Sequence, residues 1–354
     1  MVMSKDTKAK VLEALKTVDD PELHQDLVSL GMVGDVVVDG SSVKIVINLT
    51  TPACPLKAVI EGDIKQAVSK VAGIKSISVE FGSQVSSGPQ KDSIPGVKNV
   101  ISVGSGKGGV GKSTVAANLA VALALEGAEV GLLDADIYGP SQAKMFSVEG
   151  KRLMADSAKN MIPLKNYGVK LISIANLVED GQALTWRGPI LHGTLTQMLQ
   201  QTIWGELDYL IIDMPPGTGD VQLSLTQLVP LTGAVLVTTP QDVALLDVRR
   251  AHTMLRKTNV PVLGIIENMS YYQLPDGSKD YIFGEGGAVK FAEEEKIALL
   301  GQIPITRELR ESGDAGTPLV VSNSDSASSE ELRKAARALA GYISVQNMMT
   351  LPVI

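Results

Sequence analysis

The stretch Gly106-Lys107-Gly108-Gly109-Val110-Gly111-Lys112-Ser113 decides the fold, because it satisfies the pattern G-x-x-x-x-G-K-[ST]. An apolar run at 100–103 precedes it, and a helical pattern at 114–125 follows it. Glycines in such a loop let the backbone wrap closely around an anion, and the N–H groups of the loop and of the next helix donate to phosphate oxygens. Strand, loop and helix together predict a phosphate-binding loop rather than a glycine-rich turn without a ligand.

The loop predicts a site for ATP and Mg²⁺. Lys112 is expected to contact the β- and γ-phosphates, Ser113 to bind Mg²⁺ through its hydroxyl, and Thr114 to make a neighbouring phosphate contact. The predicted nucleotide-binding residues of this segment are Gly106, Lys107, Gly108, Gly109, Val110, Gly111, Lys112, Ser113 and Thr114.

Carboxylates follow two further apolar runs, at Asp134-Ala135-Asp136 and at Asp213. Asp213 is expected to be the Mg²⁺-associated acidic residue, and Asp134 or Asp136 to orient the attacking water. Helix capping is the alternative for Asp136 and Asp213. The segment after Asp213, Pro215-Pro216-Gly217-Thr218-Gly219, is interpreted as a loop that responds to the γ-phosphate.

From Asn99 onward, apolar runs alternate with helical segments. The predicted strands lie at 100–103, 129–133, 169–174, 209–212, 234–238 and 262–266. Continuous apolar strands separated by helices are typical of a mostly parallel sheet covered by helices on both faces, which binds ligands at the carboxyl ends of its strands. The sequence therefore predicts an α/β P-loop NTPase sheet.

The chain divides into a small α/β domain at 1–83, a linker at 84–97 and an ATPase domain at 98–354. In the small domain, Val11, Leu12, Leu15 and Val18 have helical spacing. Other patterns predict a hairpin of 36–38 with 43–49, a helix at 56–71 and a strand at 74–81. At the C-terminus, 329–343 has one apolar helical face, which favours a helix that covers a core over one that lies on a membrane surface.

Composition excludes several classes of protein. The net charge of -7 and the 4% content of aromatic residues argue against nucleic-acid binding. No apolar run is long enough to span a membrane, and the N-terminus lacks a secretory signal, so a cytoplasmic protein that binds no membrane is expected. Cys54 is the single cysteine, which excludes an intramolecular disulfide.

Lys107, inside the loop, resembles the signature lysine of the deviant Walker A class, the family of MinD, ParA and the nitrogenase iron protein. In that class the lysine reaches the nucleotide of the partner subunit. The resemblance therefore implies a homodimer around ATP and makes Lys107 a candidate catalytic residue beside Lys112. Asn268 resembles the adenine-contacting asparagine of the class, although an asparagine after a strand is also an ordinary turn residue.

Further motifs resemble the Mrp/ApbC family of ATPases that carry iron-sulfur clusters to apoproteins. These motifs are Asp134-Ala-Asp-Ile-Tyr-Gly-Pro-Ser141, Arg187-Gly-Pro, Asp213-Met-Pro-Pro-Gly-Thr-Gly-Asp220, Thr239-Pro-Gln-Asp242 and Glu267-Asn-Met-Ser270. The resemblance implies ATP hydrolysis, a labile iron-sulfur cluster and apoprotein clients.

The small domain resembles SufT-like assembly factors through Asp20-Pro-Glu22, residues 26–32 and Thr50-Thr-Pro-Ala-Cys-Pro55. Cys54 matches the cysteine of that domain. It precedes a predicted helix, whose dipole is expected to lower the thiol pKa and favour binding of a soft metal. A small buried apolar residue is the alternative for Cys54.

The sequence departs from the Mrp/ApbC pattern at the usual site of the iron-sulfur cluster. Many Mrp/ApbC proteins carry Cys-x-x-Cys shortly after Glu-Asn-Met-Ser, but residues 271–280 contain no cysteine here. A cluster on Cys54 would need further ligands such as His24, a client cysteine or a small thiol. The main alternative function is an ATP-dependent dimeric switch or adaptor that holds no cluster. A positioning ATPase and a metabolic kinase are the remaining alternatives.

Overall fold

The computed structural model describes residues 2–87, 94–177 and 188–350 of the 354-residue chain. The chain forms two compact units: residues up to Ser86 together with those from Ala340 onward, and Ser87–Leu339. The C-terminal end thus groups with the first unit, whereas the sequence analysis assigned it to the ATPase domain. The final helix is 24 residues long, and near its end the Nδ2 atom of Asn347 donates a hydrogen bond to the Ser86 carbonyl at 2.9 Å.

The first unit is a small α/β fold. Its elements are α1 (Val2–Leu15), β1 (Asp19–Asp20), β2 (Gln25–Asp26), β3 (Val33–Asp39), β4 (Ser42–Leu49), α2 (Lys57–Val68) and β5 (Ser76–Ser83). Strand β4 is central, antiparallel to β3 and parallel to β5. The turn between β3 and β4 uses Gly40 at φ 58°, a conformation that glycine adopts without strain. The predicted hairpin, helix and last strand are confirmed; helix α1, however, ends at Leu15, before Val18.

The second unit alternates strands and helices. Its strands are β6 (Val97–Ser105), β7 (Val130–Asp134), β8 (Met154–Ala155), β9 (Met161–Ile162), β10 (Leu164–Asn166), β11 (Val169–Ser173), β12 (Leu207–Asp213), β13 (Gly233–Thr238), β14 (Val262–Asn268), β15 (Tyr272–Gln273), β16 (Lys279–Asp280) and β17 (Leu299–Ile303). Its helices are α3 (Lys112–Leu125), α4 (Gln142–Met145), α5 (Gly188–Gln200), α6 (Asp220–Leu228), α7 (Asp242–Lys257), α8 (Gly287–Glu295), α9 (Arg307–Asp314), α10 (Leu319–Ser322) and α11 (Ala327–Thr350), which continues into the first unit.

An eight-stranded sheet organises the second unit, in the order β10-β11-β7-β12-β6-β13-β14-β17. Every neighbouring pair is parallel except the edge pair β10 and β11. The predicted mostly parallel sheet is confirmed, and β17 is a strand that the sequence analysis did not name. Because parallel strands end at one edge, the segments after β6, β7, β12 and β14 emerge together.

Helix α3 is apolar on most sides after its first turn and largely buried: all nine residues from Val115 to Leu123, including Asn118, are at most 2% exposed. A helix apolar on most sides must be enclosed by other elements. The loop that precedes α3 therefore leads into a helix enclosed by the core.

Helix α11 buries the face that the sequence analysis identified. Leu332, Ala335, Ala336, Leu339 and Ile343 are each at most 1% exposed. The expectation of a core-covering helix is confirmed. Across residues 2–87, 94–177 and 188–350, each helix is too short or too polar to cross a lipid bilayer.

Candidate functional site

The phosphate-binding loop joins the end of β6 to the start of α3. Gly109 and Gly111 have φ values of 80° and 82°, a region that residues with a side chain rarely adopt. A Cβ atom on Gly111 would lie 2.1 Å from Nδ2 of Asn268. This amide donates to the Val110 carbonyl at 2.8 Å, so the last residue of β14 holds the loop in shape.

Gly106 lies against the backbone of helix α7. A Cβ atom there would come within 2.3 Å of the Asp247 carbonyl carbon and 2.6 Å of the Val248 nitrogen. A helix backbone cannot move aside as a flexible side chain can. The loop therefore depends on glycine at this position because of close packing, not because of its φ angle.

We expect Gly106→Ala to weaken ATP binding at least about tenfold and to destabilise the fold by about 1–3 kcal/mol, a typical cost of overpacking. Isothermal titration with a non-hydrolysable ATP analogue and thermal unfolding measure the two effects. Gly313→Ala in α9 is the matched control, because, beyond its chain neighbours and the local backbone of its own helix, no atom lies within 4 Å of the added Cβ. Equal behaviour of the two variants would contradict the argument.

Lys112 is the first residue of α3, and its ammonium group is surrounded by oxygen atoms. It donates to a carboxylate oxygen of Asp213 and to Oγ of Ser113 at 3.1 Å, and it lies 3.6 Å from Oδ2 of Asp136. The Lys112 side chain is only 6% exposed, and that of Asp213 is completely buried. The structure thus brings together four of the predicted residues.

Register places the acidic strand ends side by side. Asp213, the last residue of β12, pairs with Asp134, the last residue of β7, and with Val103 of β6. Burial, followed by the Asp213 carboxylate, raises the pKa of Asp134 to about 7. A positive charge near Asp134 and Asp213 would favour the ionised form of both carboxyl groups.

The Asp134 carboxylate accepts hydrogen bonds from the loop that follows β7. Its Oδ2 accepts hydrogen bonds from the backbone N–H groups of Ser141 at 3.1 Å and Gln142 at 3.0 Å, and from the Ser173 hydroxyl at 2.9 Å. Its Oδ1 accepts from the Asp136 backbone N–H at 3.3 Å. Because protein donors occupy both oxygens and the side chain is completely buried, the geometry favours a contact that positions the loop over a contact with water. The catalytic role of Asp134 stays a prediction.

Asp136 is more accessible than Asp134. Its side chain is 12% exposed, and its Oδ1 accepts from the Gly139 backbone N–H at 3.3 Å. Burial raises its pKa, although the nearby Lys112 ammonium opposes this effect. Of the two candidates for orienting water, Asp136 is the one whose side chain is partly accessible to solvent. Its role in orienting water stays a prediction.

Gln142 is a site residue that the sequence analysis did not identify. Its Nε2 donates to Oδ2 of Asp213 at 2.7 Å and to the Ser113 carbonyl at 3.0 Å. The side chain is completely buried. Gln142 therefore fixes the predicted Mg²⁺-associated carboxylate relative to the loop. Its position just after Gly139-Pro140-Ser141 was the available signal, but a glutamine there has no chemistry of its own to suggest this contact.

The remaining predicted residues lie around the loop. Asn268 is 3% exposed, and its Oδ1 has no hydrogen-bond partner among the described residues; the predicted adenine contact stays a prediction. Lys107 is half-buried and forms no ion pair within the described part of the chain. Thr114 is half-buried, and its carbonyl accepts from Asn118. Arg187, quoted above in a motif, lies outside the described residues.

Cys54 belongs to the first unit, just before α2. It is half-buried against that unit's apolar core. Burial raises its thiol pKa, and this outweighs the hydrogen bond from the Leu56 backbone, which lowers it. The nearby carboxylates of Glu22 and Asp20 raise the pKa further. The helix N-terminus thus lowers the thiol pKa as predicted, but burial outweighs it, so the net direction is opposite to the predicted one. Among the described residues, no group of three or more His, Cys, Asp or Glu side chains is arranged to hold a metal ion.

Two known protein families match this chain, one in each unit. Residues 96–340 match the family of NUBPL iron-transfer P-loop NTPases, and residues 8–81 match the iron-sulfur cluster assembly protein family. A protein of Deinococcus radiodurans, named iron-sulfur cluster carrier protein, is 54% identical over 343 residues, which cover 97% of each chain. The chain belongs to the family of iron-transfer P-loop NTPases. This confirms the resemblance that the motifs indicated.

Solved structures of other proteins are similar to a large part of this chain. A nucleotide-binding protein from Archaeoglobus fulgidus, in complex with ADP, is 41% identical with a TM-score of 0.57, over 63% of this chain and 88% of that one. The Pyrococcus furiosus cell division ATPase MinD is 24% identical with a TM-score of 0.54, over 68% and 97% of the two chains. The latter likeness shows the fold alone. The family and these folds confirm a P-loop NTPase.

Proposed function

We propose that this chain hydrolyses ATP and, as a cytoplasmic homodimer, carries iron-sulfur clusters to apoproteins. The observation that carries the proposal is the Lys112 ammonium, buried between Asp213, Asp136 and the Ser113 hydroxyl at the N-terminus of α3. Family membership and the carrier name of the Deinococcus radiodurans relative support the cluster part.

The donor set of the site fits Mg²⁺. Asp136 and Asp213 provide two buried carboxylates near the Ser113 hydroxyl, whereas Lys112 provides one buried ammonium group. Hard oxygen ligands with excess negative charge suit Mg²⁺, which usually binds through one or two protein oxygens together with substrate phosphates. Ser113 and Asp213 would hold the ion. When bound, Mg²⁺ neutralises charge that develops on the phosphates.

The protein's own groups bind the nucleotide and orient the attacking water. The loop N–H groups and Lys112 bind the β- and γ-phosphates of ATP, and Asn268 keeps the loop closed around them. Asp136 orients the attacking water. Lys107, half-buried and without an ion pair among the described residues, would reach the nucleotide of the second subunit, and thereby link ATP binding to dimerisation.

Cys54 is the only cysteine that the chain offers to a cluster. A dimer would supply two thiolates, so a carried cluster would take its remaining ligands from outside the chain, such as a client cysteine or a small thiol. The raised thiol pKa makes a metal-free Cys54 thiolate scarce at neutral pH, and binding of iron must displace the proton. Cluster binding through Cys54 alone is therefore expected to be labile.

The single cysteine also favours the second candidate, an ATP-dependent dimeric switch that recruits assembly partners and holds no cluster itself. Both candidates share the ATP site. They differ in whether purified protein binds iron and delivers it.

Anaerobic reconstitution with iron and sulfide tests the carrier function. We expect bound iron, visible absorbance and transfer to an apoprotein for the wild type, and loss of at least about 80% of the bound iron in Cys54→Ala, since a thiolate is a preferred ligand of iron-sulfur clusters. Ser78→Ala, at an exposed position of β5 in the same unit, is the matched control. An absence of iron in all three proteins, with ATPase activity intact, would favour the switch.

A further inference from the structure

A cavity of about 420 Å³ lies between the segments that follow β7 and β12. Asp136 and Gly139 line it on one side, Pro215 and Pro216 on the other, and Gln222 of α6 completes the wall. The space is ample for a water molecule, which occupies roughly 30 Å³ in the liquid.

The cavity adjoins the phosphate-binding loop. The Gly217 backbone N–H donates to the Ser105 carbonyl at 2.9 Å, and Cγ of Pro216 lies 4.0 Å from the position of a Cβ on Gly108. Asp136, which lines the cavity, has Oδ2 only 3.6 Å from Nζ of Lys112. A phosphate group bound by Lys112 would therefore face this cavity.

Gln222 presents a polar group that other described residues do not satisfy. Its side chain is 4% exposed, and its Oε1 atom accepts no hydrogen bond from the described residues. Its Nε2 atom lies beside the backbone of Gly104, 3.3 Å from where a Cβ on that residue would be. Buried amide oxygens are nearly always hydrogen-bonded, and a donor bound in the cavity that Gln222 lines would satisfy this one.

We propose that Gln222 positions the hydrolytic water, with its Oε1 atom accepting one hydrogen bond from the water while Asp136 accepts the other. The proposal rests on the ATP hydrolysis proposed above. The water oxygen forms a bond to the γ-phosphorus as the bond from that phosphorus to the bridging oxygen breaks. ADP leaves with the electron pair, and the proton lost by the water ends on inorganic phosphate. A glutamine side chain orients the attacking water in some other P-loop NTPases, which gives the role a chemical precedent.

Gln222→Met tests the role, because methionine is of similar size and cannot accept a strong hydrogen bond. We expect kcat to fall about 100-fold, within the range for loss of a group that orients a proton-transferring water. The dissociation constant of a non-hydrolysable ATP analogue should change less than about threefold, because a water-positioning group contributes nothing to ground-state binding. Gln222→Glu keeps an acceptor oxygen and should retain at least about tenfold more activity than Gln222→Met.

Ser224→Ala, at an exposed position of the same helix, should match the wild type in both measurements. Wild-type kcat in Gln222→Met, alongside an inactive Asp136→Asn, would overturn the inference and leave the proposed ATPase standing. A parallel loss of activity and analogue binding in both Gln222 variants would also overturn it, since that pattern indicates a structural role. Absence of hydrolysis by the wild type itself would instead remove the proposed function.

Discussion

Lys112→Ala should lower ATP hydrolysis by about 10³-fold or more. The ammonium group lies 3.1 Å from the Ser113 hydroxyl and contacts the Asp213 carboxylate, at the N-terminus of a helix whose dipole already attracts anions. Among the described residues, its contacts are carboxylates and a hydroxyl, so none of them can supply its positive charge. Loss of a charge that stabilises the transferring phosphoryl group costs this much in P-loop enzymes.

Lys112→Ala should also have a lower free energy of unfolding than the wild type when no nucleotide is bound. Removal of one partner from a buried ion pair costs about 3–5 kcal/mol, because the other charge stays buried and unpaired. A loss of that size lowers the melting temperature of a domain this large by roughly 10 °C. Phosphate release and thermal unfolding measure the two effects. As a control, Lys151→Ala removes an exposed lysine of the same unit and should change neither phosphate release nor the melting temperature. Wild-type turnover in a well-purified Lys112→Ala would contradict the role of Lys112 in ATP hydrolysis.

The phosphate loop and the acidic strand ends were predictable, because their geometry follows from local pattern and topology. A parallel sheet brings strand ends to one edge, so Asp134 and Asp213 had to lie near the loop once their strands were recognised. The function of each carboxylate was not predictable, since it depends on which donors the folded chain aims at it. Asp134 meets the N–H groups of residues seven and eight positions later, and no spacing rule anticipates that.

The two glutamines of the site were missed for a similar reason. Gln142 and Gln222 carry no charge, and the sequence gives no reason to single them out. Only the structure shows the contact of Gln142 with Asp213 and the place of Gln222 in the cavity that Asp136 lines. The pKa of Cys54 was assigned the wrong direction because the sequence indicates a helix N-terminus but not the depth of burial. Desolvation of a thiolate outweighs a single backbone donor there.

Asp213→Asn should abolish most activity despite its nearly identical shape. Both neighbours of this carboxylate are donors: the Lys112 ammonium on one oxygen and Nε2 of Gln142, at 2.7 Å, on the other. An amide has one acceptor oxygen, so its NH₂ group must face a donor on one side. The substitution also removes one negative charge from the predicted Mg²⁺ ligands.

We expect kcat to fall about 10²–10³-fold, in line with the loss of a preorganised electrostatic contact, and the Mg²⁺ concentration for half-maximal activity to rise at least about tenfold. Steady-state hydrolysis across a Mg²⁺ titration measures both, with Asp280→Asn, an exposed position of β16, as the control. Binding of ATP without Mg²⁺ separates two explanations. If it is unchanged or tighter while the Mg²⁺ dependence shifts, Asp213 acts on the metal; if binding weakens equally with and without Mg²⁺, Asp213 serves only to hold Lys112, and the metal assignment fails.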